Sequence, residues 1–405
     1  MSDELFIRPL LASEFLCDRA AALENGLGEC CMGFTFTTTL TEDDLNMRVK
    51  DAVIHLRYAC PIVAATIVDD GTEAPPSWLY PLVTDPDYAE RWAEETLFIL
   101  KEHTDPFQFI QAMNNKKLPY VLRDGSHQYL RIYLIRPNTL LNMFGIFFHG
   151  SHAFLDAKPT LRVFSLLLEL MSSPQSVPLA DIPWGTEYRN LPPGPVTATG
   201  GPREEWDTAG KALMSKISAI HMNTQASHSI LDNPPDIVQY GKMQRLWIEF
   251  TEAETANIAR ELNVSIANRL SCTFDSAAHF VSCFVFVPVT IAWEPLSRAP
   301  VGKERLVAGM EQSRACYTEY LANPCILHLL SEQLRRRSLV LIGPSEQRRE
   351  CDTVTNLGRV ESILPTSWPL RPLPESNESP VFRVEKLRFG HRVTRKAPYV
   401  SYFYT

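Results

Sequence analysis

Two hydrophobic periods alternate along the chain. In LTEDDLNMRVKDAVIHLRYACP, 40–61, apolar residues recur at Leu45, Val49, Val53, Ile54 and Leu56. That spacing describes one face of a helix. Thr41 precedes it as a cap, acids fill the first turn, and Pro61 ends it. The run IVAATIVDD, 62–70, predicts a strand, and PDYAERWAEETLFILKEH, 86–103, a second helix. QYLRIYLIRP, 128–137, and LNMFGIFFHG, 141–150, read as strands parted by a polar turn at Asn138 and Thr139. PTLRVFSLLLELMSS, 159–173, reads as a helix with Pro159 in its first turn and a dense apolar face.

The periodicity stops at LPPGPVTATGGP, 191–202, a Pro- and Gly-rich stretch that continues neither kind of element. It divides the chain into an α/β domain over 1–190, a linker over 191–205 and a second α/β domain over 206–405. In the latter, MQRLWIEF (243–250) reads as a strand. TEAETANIARELN (251–263) reads as a helix opened by a Thr251–Glu254 capping box. Residues 274–293 pass from helix-like to strand-like, and 319–337 contain a helix. Residues 352–365 read as a strand carrying a turn at Leu357–Gly358. The final RKAPYVSYFYT alternates as a strand. The halves share element types without a sequence repeat.

Composition narrows the classes. A chain of 405 residues, 45% hydrophobic and 21% charged, is of globular type and long enough for two cores. A net charge of -8 argues against a nucleic-acid partner, which needs a concentrated basic surface; RRR at 335–337 reads as a solvated helix face. The longest apolar run, CFVFVPVTIAW at 283–293, is too short to span a bilayer and contains Pro288, so no membrane span is expected. The opening MSDELFIRPL has none of the parts of a secretory signal, and the nine scattered cysteines contain no CxxC; a cytoplasmic protein with reduced thiols is expected. The 191–202 stretch lacks the GxxxxGK[ST] of a phosphate-cradling loop.

Candidate chemistry concentrates in HGSHAFLDAKP, 149–159. The spacing HxxxD is weak by itself, and the chain holds a second copy at His228 and Asp232. Context separates the two. His228 lies between polar HMNTQAS and NPPD, as in a surface loop. His152 follows the apolar strand ending at Phe148 and precedes a helix, where polar side chains emerge from a rigid frame. Three readings stand for His152. It is a general base with a pKa near working pH, with Asp156 orienting the segment. It is a metal ligand together with His149 and Asp156, although no further ligand cluster is evident and no metal is expected. Or it is a histidine paired to an acid for structure alone.

The stretch resembles the HHxxxD[GA] signature of the condensation-domain, chloramphenicol-acetyltransferase and BAHD-like plant acyltransferase superfamily. Ser151 stands at the first histidine, His152 at the catalytic one, Asp156 at the acid and Ala157 at the small residue. The 40–67 segment resembles the first helix and strand of fungal members. VTNLGRVES, 354–362, is similar to the SNLG-type segment of alcohol and trichothecene-type O-acetyltransferases. Order and spacing fit nearly the whole chain, and fungal secondary-metabolite acyltransferases are the group most alike.

The resemblance implies two similar α/β domains, each a mixed sheet covered by helices, with a tunnel between them. It implies acyl transfer from a coenzyme A thioester, acetyl-CoA being the expected co-substrate, to a hydroxyl of a small-molecule acceptor, with no bound cofactor. His152 would be the base and Asp156 a structural brace, with Arg298 as its partner by position. Ser151, His149, Asn356 and Gly358 would line the tunnel. Ser151 lacks the GxSxG of a nucleophile. There are two departures: Ser151 replaces the first histidine, and the chain ends at Thr405 where members continue with a helix. If that helix covers the second domain, its absence exposes apolar surface and favours self-association. They leave room for another reading, the same fold serving as a cyclase or isomerase of a secondary-metabolite intermediate without an acyl donor.

Overall fold

The computed structural model describes residues 5–69, 71, 75–138, 142–172, 178–198, 203–223, 251, 253, 254, 257, 289, 291–329, 353–358, 360–370, 380–392 and 400–404. Its centre is a six-stranded mixed sheet. The first half supplies β1 (Leu5–Pro9), α1 (Ser13–Leu23), β2 (Cys30–Thr38), α2 (Glu42–Ala59), β3 (Thr66–Val68), β4 (Ser77–Pro81), α3 (Pro86–Thr96), β5 (Leu97–His103) and α4 (Pro106–Met113). These are followed by β6 (Tyr120–Val121), β7 (His127–Gln128), β8 (Leu130–Asn138), β9 (Met143–Gly150) and α5 (Ala157–Ser172). Beyond them lie α6 (Pro195–Ala198), α7 (Ala209–Asn223), α8 (Trp293–Arg298), α9 (Lys303–Ala322), β10 (Thr353–Gly358), β11 (Ser367–Trp368), β12 (Phe382–His391) and β13 (Val400–Tyr404).

The large sheet runs β11-β12-β2-β9-β8-β5, antiparallel except for the parallel pairing of β5 with β8. The smaller sheets are β1-β4-β3, β6-β7 and the parallel pair β10-β13. Strand alternation sorts the large sheet into two faces. Met32, Phe34 and Phe36 of β2, Ile132 and Leu134 of β8, and Ile146 and Phe148 of β9 join the main core with Val49 and Val53 of α2 and Leu161 and Phe164 of α5. Cys31, Tyr133, Ile135 and Phe147 take the other face, under Phe109, Ile110 and Met113 of α4. Each large apolar side chain so buried contributes about 1.5–3 kcal/mol of transfer free energy.

Several local expectations hold. Thr41 caps α2, its side chain accepting from the Asp44 N–H. β8 and β9 pair as neighbouring antiparallel strands. Thr251 and Glu254 form the reciprocal capping box, the Thr251 N–H donating to Glu254 Oε2 and the Glu254 N–H to Thr251 Oγ1. β10 and β13 fall where strands were read. Of 319–337, α9 covers only the start, to Ala322, and 330–337 lie outside the described residues. The strand at 243–250, the second HxxxD at His228, the basic run 335–337 and most of 274–293 lie outside the described residues.

Three expectations change. The helix read over 86–103 ends at Thr96, and Leu97–His103 is the edge strand β5. Pairing with β8 overrides a pattern that helix and strand fit alike over a short apolar run. The strand read over 62–70 opens as a 3-10 turn, Pro61–Ala64, before β3 begins at Thr66. The second domain does not keep to residues 206–405. β11 and β12 cross into the sheet of the first half, where β12 pairs with β2 from Phe382↔Thr38 to His391↔Cys30.

Candidate active site

The site grows from the end of β9. The Ser151 N–H donates to the Tyr129 carbonyl at 3.1 Å, carrying β9's pairing one residue past the strand. The chain then turns sharply. The Ser151 carbonyl accepts from the N–H groups of Phe154 (3.3 Å) and Leu155 (3.0 Å), and Ser151 Oγ accepts from the Ala153 N–H at 3.1 Å. Ala153, Phe154 and Leu155 are all buried in the main core, so the turn is anchored by packing as well as hydrogen bonds. Asp156 ends the turn. Its Oδ1 accepts from the Ala157 N–H at 2.7 Å, and its carbonyl accepts from the Thr160 N–H (2.9 Å) and Thr160 Oγ1 (2.6 Å). A carboxylate at the start of α5 meets the positive end of the helix dipole. Within 151–156, only His152 and Asp156 retain partial exposure.

The two histidines of the motif have different fates. His149 lies across from Cys31 and Arg131 in the sheet and is 0% exposed. Its Nδ1 is 2.5 Å from the Tyr120 hydroxyl, which is 3.3 Å from that of Tyr133. The Arg131 guanidinium lies 3.7 Å from the centroid of the Tyr120 ring. Burial, with Lys116, Arg392 and Arg131 nearby, pushes the His149 pKa down to about 3, so the ring is neutral. His149 is a packing group here, and Ser151, 5% exposed, is a turn former. His152 remains half-buried beside the loop that enters β2. A Cβ built on Gly28 would lie 4.0 Å from His152 Cδ2.

Groups not singled out in the sequence surround the turn. Burial pushes the Asp18 carboxyl up to about 6, Arg19 opposing and Asp69 adding. The Tyr129 hydroxyl is raised to about 12 by burial and by Asp18. The Cys30 thiol is pushed well up by burial, with Cys17, Asp156, Cys31 and Glu29 adding negative potential. Glu29, 3% exposed, is raised to about 7 by burial, against the Leu118 N–H, Arg392 and Lys117. The signal for Glu29 was its place between two glycines and a buried strand in GLGECC.

Arg298 is a correction. It pairs with Glu294, one turn back on α8, and both side chains are exposed at 75% and 77%. The i,i+4 partner on its own helix satisfies the guanidinium locally. Asn356 and Gly358 lie on β10, opposite Phe403 and Tyr404 of β13. Among the described residues no group of three or more His, Cys, Asp or Glu side chains is placed to hold a metal ion, and no helix is long and apolar enough to cross a membrane.

No protein-family model matches the chain, and no curated protein matches it in sequence. Solved structures do match. One is the trichothecene 15-O-acetyltransferase TRI3 from Fusarium sporotrichioides. It is similar at a TM-score of 0.71 and 14% identity, over 99% of this chain and 89% of that one. Another is the condensation domain of the Monacolin K polyketide synthase MokA, at 0.55 and 11% identity, over 98% and 89%. The architecture is therefore a mixed α/β fold like that of TRI3 and of the MokA condensation domain, over nearly the whole chain. At these identities the likeness is one of fold, and fold alone leaves chemistry open.

Proposed function

We propose that the protein is an acyltransferase, moving an acyl group, acetyl in the leading case, from a coenzyme A thioester to a hydroxyl of a secondary metabolite. His152 is the general base. The observation that carries this reading is the contrast within one turn: His152 keeps access while every residue between it and Asp156 is locked in the core. A base needs a fixed ring and a route to solvent or substrate.

In this mechanism a ring nitrogen of His152 takes the proton of the acceptor hydroxyl as its oxygen attacks the thioester carbon. The C–O bond forms, the tetrahedral intermediate collapses, and the C–S bond breaks. The thiolate takes up the proton held by the imidazolium. No acyl-enzyme forms, so the turn-bound Ser151 has no nucleophilic part. Asp156 braces the start of α5. Asn356 and Gly358 belong, in this reading, to the wall of a tunnel between two α/β units. Those units are 1–190, completed by the β11–β12 crossover, and the remainder of 206–405.

The test is product formation from acetyl-CoA and a panel of hydroxylated acceptors. His152→Ala is expected to lower turnover by roughly 10²–10⁴ with the fold retained. Full activity in that variant rejects the base. Conversion of an acceptor without any thioester identifies the cyclase or isomerase chemistry instead.

A further inference from the structure

We propose that Glu29 and Arg392 are positioning residues for His152, acting through the backbone of Gly28. The inference rests on the reading of His152 as the base. The face of Gly28 from which a side chain would project is the face turned toward His152 Cδ2. Whatever fixes Gly28 therefore fixes one side of the imidazole's surroundings.

The loop before β2 is held in an unusual shape. Asn25, Gly26 and Gly28 all have positive φ, at 53°, 87° and 88°. Such backbone persists when its surroundings over-determine it. Here they come from Arg392, the residue after β12 and far along the chain. The Gly28 N–H donates to the Arg392 carbonyl at 2.9 Å, and the Arg392 N–H to the Glu29 carbonyl at 2.7 Å. The Arg392 side chain then reaches past the strand. Its Nε donates to the Asn25 carbonyl at 2.9 Å and its Nη1 to the Asn114 carbonyl at 3.2 Å. One residue thus ties three points of the 25–29 loop to the end of α4.

Glu29 closes the same structure from inside. Its Oε1 accepts from the Leu118 N–H at 2.9 Å. Its carboxyl fills the space where Gly26 lacks a Cβ, 2.7–2.8 Å from that position. Oε2 is buried and has no hydrogen-bond partner among the described residues. A buried carboxyl with one oxygen unmatched is a costly choice for mere packing, where an apolar residue would serve. It earns its place by clamping the 114–118 loop to the loop that carries Gly28.

The experiment separates positioning from bulk stability. Glu29→Ala and Arg392→Met are each expected to lower kcat about tenfold, with KM for both substrates within about twofold of wild type, since small misplacements of a reacting group act on turnover. Glu29→Gln is expected to recover most of the loss, because its amide oxygen still accepts from Leu118. The second readout needs no turnover: the rate at which diethyl pyrocarbonate modifies His152, followed by peptide mass spectrometry. It should rise in Glu29→Ala and Arg392→Met and return toward wild type in Glu29→Gln. Unchanged modification rates, or a Glu29→Gln variant as impaired as Glu29→Ala, overturn the inference. If Glu29→Ala fails to fold, Arg392→Met decides, since its backbone bonds to Gly28 and Glu29 remain. A fully active His152→Ala would reject the base, while the modification rates still test the positioning.

Discussion

The two faces of the central sheet are built on different terms. Phe148 and His149 are neighbours on β9 and both are 0% exposed, yet they point into different chemistry. Phe148 joins an apolar core beneath α2 and α5, stacked edge-on against Phe164. His149 faces the α4 side, among Tyr120, Tyr133 and Arg131. The first face is held by area removed from water, which is insensitive to pH. The second adds, to a smaller apolar cluster around Phe109 and Phe147, buried polar groups whose contribution depends on protonation. The contrast shows why the motif's histidines should not be treated as a pair. The strand period sends His149 into a sealed face, and only the turn after Gly150 brings His152 to an accessible place.

The apolar face should be the more costly to damage. Phe148→Ala is expected to lose about 3–5 kcal/mol in urea unfolding, with the same loss at pH 5 and pH 8. A loss that varies with pH would break the distinction between faces.

On the polar face, Tyr120→Phe leaves His149 Nδ1 without its bond and should cost about 1–3 kcal/mol. The face also carries two opposed titrations. The His149 pKa is depressed to about 3 from an unfolded value near 6.5, so its stabilisation is present above 6.5 and lost as pH falls toward 3. Glu29 is raised to about 7 from about 4.5, so its stabilisation is present below 4.5 and lost as pH rises to 7. Stability measured from pH 3 to 8 should therefore fall at both ends of that range. His149→Gln should flatten the acid limb and Glu29→Gln the neutral one. An acid limb unchanged in His149→Gln would mean another group causes it.

Smaller effects sharpen the picture of the turn. Ser151→Ala removes the acceptor for the Ala153 N–H and should cost about 0.5–1.5 kcal/mol in thermal or urea melts. Arg298→Ala, on an exposed i,i+4 pair, should change stability by less than about 0.5 kcal/mol and leave turnover unaffected. A large loss of activity there would restore Arg298 to the site.

What could be read from the sequence were the features encoded locally. Thr41 announces α2, Thr251 and Glu254 announce their capping box, and the alternation through Ile146 and Phe148 announces β9. What could not be read depended on distant partners. LFILKEH becomes a strand because β8 is available beside it. FRVEKLRFGH, β12, lacks a strand signature because a bulge between Val384 and Lys386 breaks its period of two. The same holds at the site. His152 and Asp156 stand four residues apart in a recognisable pattern, whereas Gly28, Glu29 and Arg392 converge only through the pairing of β2 with β12.

That pairing also sets a schedule. The Thr37 hydroxyl meets the Glu385 carboxylate across 348 residues of sequence. A ribosome adding roughly 5–20 residues per second leaves one edge of β2 unmatched for on the order of 20–70 s after it is made. During that interval an apolar strand, CCMGFTFTT, offers an open ladder to any passing chain. The newborn protein is thus most vulnerable to aggregation before β12 is translated, and the imidazole's surroundings are completed only when Arg392 arrives.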